Sequence, residues 1–142
     1  KCRAECCKMG GPDFTEKEMK KVLKAGHKNL FNKVEENHYE LKSKGGTCPY
    51  LTKKLSCGIH QVRPLMCKCW PVYSEYKNDK KKYVIIQCPL TPYLSKKNLE
   101  IMKKQASKLL RNLVEDVKTN LPKKDFKLIM KRFHKFKVKE WR

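Results

Sequence analysis

Two adjacent cysteines, Cys6 and Cys7, constrain this chain more than any other feature. Neighbouring half-cystines cannot easily bridge each other, but both can aim thiolates at one compact inorganic centre. They belong to a set of eight, Cys2, Cys6, Cys7, Cys48, Cys57, Cys67, Cys69 and Cys88, with none after Cys88. A secreted disulfide scaffold spreads its half-cystines along the chain, and no apolar leader stands at the start. A thiolate-bound metal therefore ranks above a disulfide framework, which predicts no metal and no free thiols. Metal-bound thiols point to a cytoplasmic protein.

The rest of the composition makes such a centre useful. Of 142 residues, 39% are hydrophobic and 35% charged, so the apolar core is thin. The chain reads as one domain, 1–142, with a cysteine core over 1–92 and a cysteine-free helical extension over 93–142. The expected class is α+β, mostly α, with a small metal-centred core, one β-hairpin and long C-terminal helices. The formal net charge is +21, from 35 Lys and Arg against 14 Asp and Glu. Nonspecific affinity for polyanions follows physically. Lysine far outnumbers arginine, the residue that gives bidentate phosphate and base contacts, so nucleic acid is not the favoured partner. No apolar run is long enough to span a bilayer.

Local signals place the elements. Thr15 with Glu18 forms a capping box, and Phe14 with Met19 a hydrophobic staple. Met19, Val22 and Leu23 give that helix a buried stripe, and Gly26 stops it. Leu30, Phe31 and Val34 suggest a weaker helical segment over Asn29–Glu36. Pro49, Pro64, Pro71 and Gly58 mark Cys48–Pro71 as loops and short turns. Val72–Tyr76 and Tyr83–Cys88 form a hairpin about Asn78-Asp79. Ser95 caps a long helix reaching about Asn120, with Leu99, Met102, Ala106, Leu109, Leu113 and Val117 on one stripe. Pro122 ends it, and Asp125–Lys135 is a further amphipathic helix.

The thiols themselves leave the metal open. Soft thiolates select zinc, copper(I) or iron–sulfur clusters over hard cations. Structural zinc takes four ligands, and a cubane cluster takes four cysteines. The spacings match neither a zinc ribbon nor the ferredoxin run. The surplus of thiols and the shortage of histidines favour an iron–sulfur (4Fe-4S) cluster, with zinc as the alternative.

Cys2-Arg3-Ala4-Glu5-Cys6-Cys7, Cys48-Pro49-Tyr50-Leu51, the run from Cys57 through Ile59, Arg63 and Pro64 to Cys67, Pro71, and Cys88-Pro89 together resemble the YkgJ-type CxxCxxCC family of zinc- or iron-chelating domains. The C-x-I-x-x-x-R-P-x-x-C element is the most specific part, and the resemblance spans residues 2–89. It implies Cys2, Cys6, Cys7, Cys48, Cys57, Cys67 and Cys88 as metal ligands, with Cys69 an additional thiol. The family pattern has a further cysteine just ahead of the position of Cys2. Its relatives include a flagellin lysine methylase, which makes iron–sulfur chemistry plausible without assigning an activity.

Several residues carry two readings. Arg63 either balances thiolate charge or closes a loop by bonding carbonyls. Trp70, with Tyr73 and Tyr76, either roofs the metal and excludes water or stacks on a bound group; the roof is favoured. Arg63 and Trp70 are thus the cofactor-contacting candidates. His60 is outnumbered as a ligand, and His27, His38 and His134 receive no role. No phosphate loop, serine elbow or HExxH motif is present, which disfavours an enzyme. The expected function is a metal-binding protein for electron transfer or metal handling, with a redox or protein partner. The alternatives are a cluster-dependent enzyme or enzyme partner in protein modification, and a basic nucleic-acid-binding metalloprotein.

Overall fold

The computed structural model describes residues 4–43, 45–114 and 118–141; Cys2 and Val117 lie outside them. The fold is α+β, with two small antiparallel sheets and five α-helices among the described residues.

Helix α1 spans Glu16–Lys24. Thr15 and Glu18 form the capping box, the Thr15 N–H donating to Glu18 Oε1 at 3.0 Å. The other Glu18 oxygen accepts the Leu65 N–H at 2.6 Å, so one carboxylate caps α1 and fastens the start of α2, Leu65–Cys69. Such charge-assisted bonds are the stronger kind. Phe14 is fully buried and pairs its backbone with Tyr39, while its ring meets Phe31 edge-on at 4.8 Å.

The segment expected to be helical over Asn29–Glu36 is instead a strand. β1, Phe31–Glu35, turns at Glu36-Asn37 and pairs with β2, His38–Leu41. Asn37 takes the left-handed φ of 54° that the turn needs, and its side chain accepts the Glu16 N–H at 2.8 Å. Leu30, Phe31 and Val34 fit a helix stripe, and β2 buries the polar His38 and Glu40 as well as the core residue Leu41, which hides the strand pattern.

The expected hairpin is present as β3, Val72–Lys77, and β4, Lys80–Ile86, turning at Asn78 and Asp79, both with positive φ. The structure therefore holds two hairpins rather than one. A short strand, β5, Val138–Glu140, adds to the free side of β4.

The long helix expected from Ser95 to about Asn120 is broken. Ser95 caps α3, Lys96–Ala106, which ends there, and a separate turn, α4, Arg111–Val114, follows. The break frees the carbonyls of Ser107 and Leu109, which accept Lys81 Nζ at 2.8 and 3.2 Å. Leu109 and Leu113 are both buried on the two sides of the break. Helix α5, Lys123–Phe133, matches the last expected helix.

Two apolar clusters result. Cys7, Phe14, Val22, Phe31, Leu41, Cys48, Tyr50 and Ile59 form the first. Cys69, Val72, Ala106 and Leu109 form the second, between α2, α3 and β3. No helix among the described residues is long and apolar enough to cross a membrane.

Candidate metal centre

Three short segments bring thiols together. The first is the 3-10 turn Glu5–Lys8, opened by Ala4 at a φ of 55° and carrying Cys6 and Cys7. The second carries Cys48, whose N–H donates to the Cys7 carbonyl at 2.6 Å, binding the two cysteine segments backbone to backbone. Gly11 leaves room for this approach: a Cβ there would lie 3.3 Å from Cys48 Sγ and 3.0 Å from Leu41 Cδ1. From Cys48 the chain doubles back on itself. Leu51 bridges Cys57, Gly58 N–H donates to the Tyr50 carbonyl at 2.8 Å, and Thr52 N–H to the Ser56 carbonyl at 2.9 Å. Cys57 thereby returns beside Cys48.

The third segment is α2. Residues two apart on a helix point to nearly opposite sides, so Cys67 and Cys69 part company. Cys67 faces the other thiols. Cys69 is fully buried in the second cluster and donates to the Met66 carbonyl at 3.3 Å. Burial pushes the Cys69 thiol up to about 12. Cys88 lies beyond β4, with its sulfur 3.6 Å from Thr91 Oγ1.

Cys6, Cys7, Cys48, Cys57 and Cys67 all line one cavity of about 310 Å³; Cys69 and Cys88 do not. Ile59, Met66, Trp70 and Tyr73 also line it, whereas Tyr76 does not and instead has Lys81 and Arg111 against its ring. The opposite wall comes from Leu113, Val114, Ile129, Met130 and Phe133. That contribution of the C-terminal helices had no visible signal in the sequence, where their stripes read as ordinary core. Arg132 of α5 fixes it: Nη1 donates to the carbonyls of Lys8 and Gly45 at 2.8 and 3.2 Å.

The thiols interact as a chain. The Cys6 S–H bonds to Cys7, and burial adds to that effect, so Cys6 is held well above the ordinary thiol range. Cys7 in turn bonds to Cys48 and Cys57 and is also held high. Cys57 receives that bond, a backbone N–H from Ile59 and the field of Arg63. Together they outweigh burial and lower it to about 6. Burial, with the neighbouring Cys6 and Cys57, raises Cys67. Arg63 reaches both readings in part: Nη1 donates to the His60 carbonyl at 2.6 Å, closing its loop, while its charge favours the Cys57 and Cys67 thiolates.

Asp13 and His38 also line the cavity, and composition gave no hint of either. His38 is 1% exposed, with Nε2 3.1 Å from Asp13 Oδ1 and Nδ1 3.6 Å from Glu35 Oε1. Lys118 completes the row, 2.9 Å from Glu35 Oε2.

Among the described residues, no three His, Cys, Asp or Glu side chains stand as they are in an arrangement that holds a metal ion. What the structure gathers is the donor chemistry. Five soft thiols share one cavity, and a bound metal would displace their protons. That set suits zinc, copper(I) or an iron–sulfur cluster, and does not suit magnesium or calcium.

A cavity lined by cysteines from three separate segments defines the class of protein. The chain belongs to the CxxCxxCC family, described as "Putative zinc- or iron-chelating domain", whose model matches residues 1–89. Zinc or iron chelation is therefore the coarse function the family supports. The chain is also similar to an uncharacterized protein of Methanocaldococcus jannaschii, 34% identical over 85 residues. That match covers 53% of this chain and 44% of the archaeal protein, so the chain spans less than half of that relative. No solved structure matches.

Proposed function

We propose that this chain holds an iron–sulfur cluster, of the 4Fe-4S type, through Cys6, Cys7, Cys48, Cys57 and Cys67, with Cys2 added by the family pattern. The observation that carries this reading is the convergence of five thiols from three segments on one cavity, more than the four ligands a single tetrahedral ion takes. When bound, such a cluster supplies one-electron transfer, so electron transfer or metal handling is the proposed role.

The chain's own residues set the conditions. Trp70, Tyr73, Ile59 and Phe133 exclude water, and the Arg63 charge favours thiolate at Cys57 and Cys67. The cysteine segment and the C-terminal helices act as one unit in this reading, supported by the Arg132 bonds and the shared cavity wall. Cys69 and Cys88 stay outside the donor set. Unpaired thiols and thiolate ligation are consistent with a reducing, cytoplasmic setting.

The test is metal and sulfide analysis with an optical spectrum on anaerobically purified protein. Iron, acid-labile sulfide and a brown colour are expected. Cys7→Ser and Cys57→Ser abolish retention of the cluster, and Cys69→Ser keeps it. Colourless protein with stoichiometric zinc replaces the cluster by zinc in the same site. Folded, metal-free protein with its sulfurs paired as disulfides overturns the reading.

A further inference from the structure

Away from the thiol cavity, the sheet β3-β4-β5 ends on an open side. Gln87 N–H donates to the Lys137 carbonyl and Trp141 N–H to the Tyr83 carbonyl, each at 2.8 Å. In an antiparallel pair hydrogen-bonded and non-bonded residues alternate. With Val84 opposite Glu140 and Ile86 opposite Val138, residues 137, 139 and 141 bond inward to β4. The N–H and C=O groups of Val138 and Glu140 therefore point away from the sheet. Among the described residues nothing bonds to them, and all three residues of β5 are exposed, Val138 at 49%. A bare strand edge of this kind is a template for a further strand.

Beside this edge runs a groove of about 580 Å³ between α3 and β5. Its floor is Ile85, Leu99 and Trp141, and its rim is Lys96 and Lys139, with Glu140 the one acidic member. Glu140 is already faced by Lys82 at 3.6 Å. Lys103 Nζ sits 4.9 Å from the Trp141 ring and 5.2 Å from the Tyr83 ring, adding positive charge at the groove's aromatic side. Backbone partners on the edge, an apolar floor and a cationic rim ask for complementary features in one ligand.

We propose that β5 is a docking edge for an extended acidic peptide segment of a partner protein, in which apolar and carboxylate side chains take turns at every second position. The peptide backbone pairs with Val138 and Glu140. Lys139 and Trp141 share the α3 face of β5, so the alternate side chains on that face serve both: the apolar ones lie over Leu99 and Trp141, and the carboxylates meet Lys96, Lys139 and Lys103. Main-chain pairing supplies affinity and the alternate side chains supply selectivity, as in other strand additions. The site shares no residue with the thiol cavity, so it stands or falls independently of the metal.

The test is fluorescence anisotropy of a labelled peptide of repeating Val-Thr-Glu-Thr with the full chain at about 0.15 M salt, where surface charge is screened beyond roughly 8 Å. Its lysine–valine counterpart, with lysine for each glutamate, and a single-stranded DNA of similar length are the comparators. Saturable binding of the acidic peptide, tighter than that of either comparator, is expected. Val138→Pro removes an N–H that bonds to nothing in the protein itself, so the sheet keeps its ladder while peptide affinity falls at least about tenfold. Should Val138→Pro not fold, Lys96→Glu with Lys139→Glu decides: the preference moves toward the lysine–valine peptide. Unchanged affinity in either variant overturns the proposal. So does DNA that binds more tightly than the acidic peptide and ignores Val138→Pro.

Discussion

Arg132 Nη1 donates to the Lys8 carbonyl at 2.8 Å, joining two residues 124 positions apart. The same nitrogen reaches the Gly45 carbonyl at 3.2 Å and Thr47 Oγ1 at 3.4 Å. One guanidinium thus holds α5 against both loops that flank the first thiols. Arg132→Ala is expected to destabilise the metal-free protein by about 1–3 kcal/mol, the usual loss for bonds to a charged donor whose partners are left behind. Arg132→Lys is expected to recover part of the loss, because one ammonium also offers its donors to acceptors that the single Nη1 now holds. Urea unfolding of the two variants beside the parent measures this.

A second contact on α5 is steric. Gly10 has a φ of +88°, and a Cβ there would lie 2.5 Å from Ile129 Cδ1. Gly10→Ala is expected to cost about 2 kcal/mol from left-handed strain and overpacking together. Ile129→Val, made in the same chain, returns the overpacking part and leaves the strain. A double-mutant cycle by chemical denaturation separates the two.

His38 gives stability a defined slope with pH. Asp13 beside it favours the imidazolium and outweighs burial, which acts the other way; Glu35 adds to the effect of Asp13, so the His38 value is raised. A raised folded value means the contribution is fully present below the unfolded value of about 6.5 and fades as pH climbs through the folded one. His38→Gln removes this component. The gap in unfolding free energy between parent and variant should therefore be widest on the acid side of neutrality and narrow as pH rises. A gap that widens with rising pH contradicts it.

Among the described thiols Cys57 alone is lowered, to about 6, whereas Cys6 and Cys7 are held protonated. A brief iodoacetamide pulse at neutral pH followed by peptide mapping should find the label chiefly on Cys57. Arg63→Ala slows that labelling by removing one of the groups that favour the thiolate. Prior loading with metal should protect Cys57.

Much of this molecule is legible in its residues where local chemistry decides. Thr15 with Glu18, Ser95 at the start of α3 and the Asn78-Asp79 turn each carry their own instruction, and each forms as expected. Elements fixed by distant partners are not legible. β1 and β2 bury His38 and Glu40 where apolar residues would announce a strand, because Asp13 lies across from His38 and residues 119 and 120 bond Glu40. β5 is Val138-Lys139-Glu140, too short and too polar to stand out, and exists because β4 offers an edge. The break after α3 depends on Lys81 taking the freed carbonyls, a contact across 26 and 28 positions. For the thiols, spacing indicated shared chemistry, but the different directions taken by Cys67 and Cys69 follow only once α2 is known to be helical.

The two walls of the thiol cavity have separate origins. All five sulfurs come from the stretch that the family model spans, residues 1–89, while Leu113, Val114, Ile129, Met130 and Phe133 come from beyond it. The stretch with the donors is thus walled by residues that the family model does not reach. What could approach a metal in this chain depends in part on that wall, which is aliphatic and aromatic apart from Lys118.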